Sequence, residues 1–164
     1  MSILTKYLIV FGISMVPLIE LRGAIPIGVG ILGLDKLVVF CVAIIGNMVP
    51  VPFIFFFARK LLEWGADKPI IGKFFTWCLE KGHKGGAALQ AKAGRGTFLA
   101  LLLFVGIPLP GTGAWTGTLA ASILDMKFKE SVVAVMLGVL LAGAIMLLAS
   151  MGLLGALGAI FYTA

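Results

Sequence analysis

The stretch Glu20-Leu21-Arg22-Gly23-Ala24-Ile25-Pro26-Ile27-Gly28 places two charged residues and a proline inside an apolar segment. A second stretch, Ile107-Pro108-Leu109-Pro110-Gly111-Thr112-Gly113-Ala114-Trp115-Thr116-Gly117, interrupts another apolar segment in the same way. A charge or an open backbone is costly in hydrocarbon unless it is buried in protein or lines a watery cavity. We therefore predict that the functional site lies at these two breaks.

The composition around these stretches is that of a membrane protein. Of the 164 residues, 61% are hydrophobic and 12% are charged, and the mean hydropathy is +1.16. A soluble domain carries about twice that share of charged residues. The sequence predicts one polytopic membrane domain without a separate catalytic domain.

Four apolar blocks follow one another: 3–34 with a break at 20–26, 37–58, 98–124 with a break at 107–113, and 131–162. A helix rises 1.5 Å per residue and the hydrocarbon layer is about 30 Å thick. The second and fourth blocks are long enough to cross it, whereas the arms of the broken blocks are too short. The broken blocks are therefore predicted to be re-entrant hairpins, which enter the membrane and return to the same side.

Charge predicts the orientation of these elements. Segment 59–97 carries eight basic and three acidic residues, with His83 neutral, and Lys127 and Lys129 follow the third block. The positive-inside rule places basic segments in the cytoplasm. This arrangement puts 10 of the 13 basic residues on the inner side and predicts a membrane protein with several passes and a cytoplasmic segment 59–97.

The fold class that we predict is an all-α integral membrane protein built as an inverted repeat. Each repeat is a re-entrant hairpin followed by a transmembrane helix, over 1–58 and 98–164, as in transporters whose broken helices meet near the membrane midplane. Segment 59–97 is predicted to be a basic, amphipathic cytoplasmic connector, with a helix opening near Asp67 and Pro69. A chain of this size would enclose a pathway with a second copy, as a homodimer.

Glu20 and Arg22 are the first candidate site residues, with Gly23 and Pro26 beside them. In an unwound hairpin tip both side chains would point into one cavity, with Arg22 binding an anion and Glu20 accepting a proton, so that transport would be proton-coupled. The alternative is an ion pair that only neutralises buried charge.

The second motif supplies the other candidates. Pro108 and Pro110 end its first arm, Gly111 and Gly113 allow a tight tip, and Thr112, Trp115 and Thr116 offer donors. Amides at the start of the second arm would form a helix N-terminus suited to a phosphate or a carboxylate. The alternative is turn chemistry plus close helix packing through Gly113 and Gly117. Asn47, in the second block, would face the same cavity or form an interhelical hydrogen bond.

No signature of an enzyme, a cofactor or a metal site appears. The sequence has no His-Glu-x-x-His, Gly-x-Ser-x-Gly or Walker loop, and Cys41 and Cys78 lack the spacing of metal ligands. We predict a non-enzymatic protein without cofactor or metal, whose partners are membrane lipids and a small-molecule or lipid substrate, and not nucleic acid.

The two motifs together resemble those of the prokaryotic small multi-drug export proteins, over most of the chain. This resemblance implies a location in the prokaryotic inner membrane. That family in turn resembles the DedA (SNARE-associated) superfamily. The wider resemblance implies two opposed re-entrant hairpins, dependence on the proton motive force and movement of lipid carriers such as undecaprenyl phosphate, with Glu20 as the acidic residue of the first hairpin. The DedA second hairpin typically carries arginines beside its prolines, whereas this sequence has none between Thr97 and Lys127.

The predicted function is that of a membrane transporter or lipid translocase for an anionic lipid carrier or another small anion. The alternative within transport is the export of cationic amphiphiles with Glu20 as counter-charge. From a different class, a non-transporting membrane scaffold would tolerate loss of both Glu20 and Arg22.

Overall fold

A computed structural model describes residues 1–69, 72, 73, 76, 96–109 and 111–152 of the chain. These residues form helices and no strand. The helices are α1 (Ile3–Met15), α2 (Glu20–Pro26) with a π-helix (Ile27–Ile31), α3 (Lys36–Met48), α4 (Pro50–Ala66), α5 (Gly96–Gly106), α6 (Ala114–Ile123) and α7 (Phe128–Ser150). Most of the connector, with Cys78 and His83, and the end of the fourth block lie outside the described residues.

The first apolar block breaks one turn earlier than predicted. Helix α1 ends at Met15, and Val16 already has an extended backbone (ψ 129°). Pro17 follows, and a proline disfavours the helical conformation of the residue before it. The break therefore spans 16–19, and residues 20–26, which we had predicted to be the break, form helix α2 instead.

Pro26 is the last residue of α2, but the helical path does not stop there. The chain continues into a π-helix, in which Leu32 N donates to Ile27 O over 2.9 Å. Lys6 Nζ then donates to Leu32 O over 3.0 Å. This bond holds the start of α1 and the end of the π-helix at one end of the bundle, which we call the Leu32 end.

Within the part of the chain that the structure describes, two stretches of helix are long and apolar enough to cross a membrane. Helices α3 and α4 join through Val49, whose backbone is helical, and Lys36–Phe57 gives 22 residues of mean hydropathy 2.4. Helix α7 gives 23 residues of mean hydropathy 2.8. Asp35 caps α3 by accepting from Leu37 N and Val38 N, both at 3.0 Å. The prolines of the second block therefore do not end its helix.

The third block breaks at 107–113 as predicted, between α5 and α6. A Cβ atom added to Gly117 would lie 3.4 Å from Leu101 Cδ1 and closer still to Val105 Cγ2, so α6 packs tightly against α5. The close helix packing considered as an alternative for Gly113 and Gly117 is thus observed at Gly117. Gly138 of α7 makes a similar close approach, with its added Cβ 2.7 Å from Leu102 O. Glycines therefore let α5 lie against both α6 and α7.

Candidate functional site

The two predicted motifs meet at the Glu20 carboxylate. Glu20 opens α2, and its side chain accepts from the first two amides of α6: Ala114 N donates to Oε2 over 3.2 Å and Trp115 N donates to Oε1 over 3.1 Å. Glu20 is only 3% exposed. A negative charge at a helix N-terminus is stabilised by the unpaired amides and by the helix dipole. Glu20 thus caps a helix that begins 94 residues later in the chain.

Gly113 makes room for this carboxylate. A Cβ atom at Gly113 would lie 2.7 Å from Glu20 Oε1 and closer still to Oε2. The backbone of Gly113 also has φ +142°, a value that residues with a side chain rarely adopt. Only glycine satisfies both conditions, because any side chain would displace the carboxyl group from the helix end.

The backbone on the Glu20 side is itself strained. Leu18 and Glu20 have φ values of 73° and 52°, in the left-handed region that residues with a Cβ rarely enter. Such conformations cost about 1–3 kcal/mol each and are often found at functional sites. The Glu20 side chain extends from this strained segment to α6, where it binds Ala114 N and Trp115 N.

Arg22 binds the loop that precedes α6. Its Nη1 donates to Leu109 O, and its Nη2 donates to Thr112 Oγ1 over 2.8 Å and to Ile107 O over 3.5 Å. The Thr112 hydroxyl in turn lies 3.0 Å from Ile107 O. The guanidinium group therefore fastens the 107–112 loop, and its donors are directed at protein oxygens.

Trp115 makes a third link between the two motifs. Its indole Nε1 donates to Met15 O, the last residue of α1, over 3.1 Å. Together with Glu20 and Arg22, this bond joins the break of the first block to the break of the third. Thr116 makes only a long contact of 3.5 Å to Gly113 O.

These contacts correct two predictions. Glu20 and Arg22 do not lie in an unwound tip but in the first turn of α2, and their hydrogen bonds go to the second motif rather than to each other. The helix N-terminus predicted to bind a substrate anion does hold an anion, but that anion is the carboxylate of Glu20. Neither contact could be predicted from sequence, because both depend on how α2 lies against the 107–113 loop and α6.

The remaining predicted residues take structural positions. An added Cβ at Gly23 would overlap Ile19, Pro26 lies in α2, Pro108 is buried, and Gly111 forms an open turn with φ +80°. Pro110 lies outside the described residues. Asn47 is 1% exposed, and neither its Oδ1 nor its Nδ2 has a hydrogen-bond partner among the described residues. The interhelical hydrogen bond considered for Asn47 is therefore not formed within that part of the chain.

A groove of about 970 Å³ opens beside the Glu20 cap. Its long wall is a face of α4 with aromatic and aliphatic side chains, namely Phe53, Ile54, Phe57, Leu61 and Trp64. The opposite wall comes from α6 and the first break and includes Trp115, Thr116, Leu119, Pro17 and Leu18. Glu20 and Lys60 are its charged residues. The sequence signal for this wall, a run of large side chains at helical spacing in α4, was not used in the prediction.

Comparison with known proteins identifies one family. Residues 20–145, more than half of the chain, match the family described as "Putative small multi-drug export protein". The matched segment begins at Glu20 and contains both motifs. No curated protein and no solved structure matches the chain.

Proposed function

Since the chain belongs to the small multi-drug export protein family, we propose that it is a membrane transporter that exports amphiphilic cations through the groove beside Glu20. The observation that carries this proposal is the double position of the Glu20 carboxylate, which lines the groove and also caps α6. An apolar groove with one buried carboxylate suits a ligand that combines an apolar body with a positive charge.

The proposed topology follows from helix lengths. The stretch Lys36–Phe57 and helix α7 would cross the membrane, while α1 with 13 residues and α6 with 10 residues reach only about 20 and 15 Å. The first and third blocks would therefore be re-entrant, entering from opposite sides and meeting at the Glu20 cap. The Lys6–Leu32 bond supports the return of the first block to its starting side. The basic residues would place the Lys127 end in the cytoplasm.

The groove favours a cation over an anion as the substrate of this site. The amides of α6 already bind Glu20, and the Arg22 guanidinium already donates to Leu109, Ile107 and Thr112. An incoming anion would have to displace these internal partners, whereas a cation needs only the carboxylate.

One observation favours the second candidate, an anionic lipid such as a carrier phosphate. Lys60 lines the same groove and is exposed, on the part of α4 that follows the membrane-crossing stretch. A lipid with its phosphate at Lys60 and its chain along Phe57 and Phe53 would fit the polarity of the groove. Transport of a lipid phosphate in preference to a cation would select this candidate. The likeness to the DedA superfamily remains a prediction.

Coupling to protons would follow from competition for the carboxylate. An ionised Glu20 accepts two amide hydrogen bonds, and a protonated one loses the charge that the α6 dipole favours. Protonation or a bound cation would thus loosen α6 from α2 and open the groove. Among the described residues, Arg22 lies on the same helix as Glu20 and Lys60 lines the same groove. Helix α1 carries Lys6 near its start, α3 and α7 carry charges only at their ends, and α6 carries none.

The test is ethidium transport by the full chain in proteoliposomes with an imposed pH gradient. We expect gradient-driven ethidium movement by the natural chain and its loss in Glu20→Gln. Glu130→Gln is the matched control, because Glu130 is an exposed carboxylate on α7 whose ion pair within the described residues is with the exposed Lys127 at 3.7 Å. Full transport by Glu20→Gln would refute the proposed role, and tolerance of Glu20→Gln together with Arg22→Ala would favour a scaffold.

A further inference from the structure

The groove beside the Glu20 cap carries one negative and one positive side chain among its described lining residues. Glu20 is only 3% exposed, whereas Lys60 on α4 is exposed. Lys60 lies one helical turn beyond Phe57, where the apolar membrane-crossing stretch ends, and this turn adds about 5 Å along the helix. Glu20 therefore lies in the buried part of the groove, and Lys60 lies in its exposed part, near the edge of the membrane.

The Lys60 ammonium group has no neutralising partner within the part of the chain that the structure describes. Glu63 and Asp67 are the acidic residues nearest to it in sequence, and both are exposed, but neither lines the groove. A lysine side chain can lie along an apolar surface while its charged end stays in water. Lys60 thus presents a positive charge to a ligand that occupies the groove.

The described lining of the groove offers no second place for a positive charge on the same ligand. A volume of about 970 Å³ suits one drug-sized molecule. Apart from Glu20 and Lys60, the lining consists of apolar and aromatic side chains and two threonines. Trp64 lies one turn beyond Lys60, and Lys68 Nζ already lies 4.4 Å from the centre of its ring. With one cation on Glu20, a second cation would lie against apolar side chains or approach Lys60, and both positions are unfavourable.

We propose that Lys60 is a specificity-determining residue of the groove and restricts its substrates to amphiphiles with a single positive charge. This inference rests on the proposed function, because it takes Glu20 as the site of the substrate cation. A singly charged amphiphile binds the Glu20 carboxylate and covers the apolar wall with its body. A dication gains the same attraction but is also repelled by Lys60, and a repulsive group of this kind discriminates between ligands that the attractive contacts do not separate.

Ethidium and propidium are a matched pair of probes for this selection. They share one phenanthridinium ring system, and propidium carries a second, quaternary ammonium group on its side chain. The full chain is placed in nanodiscs of phosphatidylcholine, which has no net charge, and equilibrium dialysis measures the binding of each dye. We expect the natural chain to bind ethidium about tenfold more tightly than propidium, because like charges in one site oppose each other.

A series of substitutions at residue 60 separates charge from size. Lys60→Gln should bring the two affinities to within about threefold, and Lys60→Glu should favour propidium. Lys60→Arg keeps the charge and should keep the natural discrimination. Because residue 60 is exposed, these changes should not disturb folding.

Lys129→Gln is the matched control for this series. Lys129 is an exposed lysine on α7 that does not line the groove, so its replacement removes the same charge from the protein without changing the site. The ratio of the ethidium and propidium affinities should therefore stay at its natural value.

The outcomes distinguish this inference from the proposed function. If ethidium is preferred in a manner that depends on Lys60, but neither dye crosses proteoliposomes under a pH gradient, the export function fails and the charge selection stands. Propidium binding as tight as ethidium binding in the natural chain would overturn the inference. A preference for ethidium that persists in Lys60→Gln and Lys60→Glu would also overturn it, because size and not charge would then exclude propidium.

Discussion

The Glu20 carboxylate occupies the space that a side chain at residue 113 would fill, so the identity of Gly113 is set by a residue on another helix. The same carboxylate needs that position to reach the amides of Ala114 and Trp115. The relation between these two residues is therefore the most direct point at which to perturb the cap.

Gly113→Ala should destabilise the protein and impair transport. The added methyl group would push Glu20 off the helix end and would also force an alanine to adopt φ +142°. Gly111→Ala is the control, because Gly111 also has a positive φ (+80°) but has no atom within 4 Å of an added Cβ. Backbone strain alone should cost about 1–2 kcal/mol, and Gly113→Ala should cost more. Equal shifts in the thermal midpoint in detergent would mean that strain, not the carboxylate, explains the glycine.

Arg22→Ala should lower stability and transport, and Arg22→Lys should restore only part of either. Lysine keeps the charge but lacks the planar fork that reaches Leu109, Ile107 and Thr112 together. A hydrogen bond from a charged donor contributes about 1.5–3 kcal/mol, and because Ile107 and Leu109 are exposed we expect a loss near or below the lower value. Thermal unfolding in detergent and ethidium transport measure the two effects, and full activity of Arg22→Lys would contradict the need for the fork.

The double variant Glu20→Gln with Arg22→Ala should not be rescued. An ion pair that only neutralises itself would be rescued when both charges are removed, since no lone charge remains buried. Here the two side chains bind different parts of the second motif, so their losses should add. Transport by the double variant above that of either single variant would make the pair structural.

Trp115→Phe should weaken the link between α1 and α6 without closing the groove. The change removes the indole donor to Met15 O but keeps an aromatic ring on the groove wall. We expect a loss of about 0.5–1.5 kcal/mol of unfolding free energy. Trp64→Phe, which alters another groove tryptophan contacted by Lys68, is the control and should cost less; the reverse order would argue against the link.

Cysteine labelling tests the proposed topology. Gly96→Cys and Lys129→Cys, both at exposed positions, should be labelled from the same face of the membrane if α5 and α6 are re-entrant. Lys36→Cys should be labelled from the opposite face, and the native Cys78 from the cytoplasmic face. Labelling of residues 96 and 129 from opposite faces would refute the inverted arrangement.

Local features of the fold could be predicted from sequence, whereas the pairing of its parts could not. The break at 107–113 and the two long helices follow from proline, glycine and apolar length, and all are observed. The first break was predicted at 20–26, around Pro26, but it lies at 16–19, around Pro17. Pro26 does not interrupt the helical path, because a proline in a membrane helix is tolerated when neighbouring groups adjust.

The residues of the candidate site could be named from sequence, but their contacts could not. Glu20, Arg22, Thr112, Gly113 and Trp115 were identified as polar or flexible residues in apolar surroundings. That Glu20 would itself be the anion at α6 depends on a contact across 94 residues, which no local pattern contains. The groove wall on α4 was missed because large apolar residues at helical spacing are also what a lipid-facing helix shows.

The cap on α6 also sets a limit on how tightly any cargo can be held. Glu20 is a competing ligand that is built into the chain, with an effective concentration on the order of millimolar, as for other short intramolecular links. A cation that binds this carboxylate in place of the α6 amides would lose the free energy of the cap. The free energy of cation binding would be less favourable by that amount. Under the proposed function, weak binding of this kind would release cargo quickly and would discriminate little between compounds of similar shape, as an exporter of many different substrates requires.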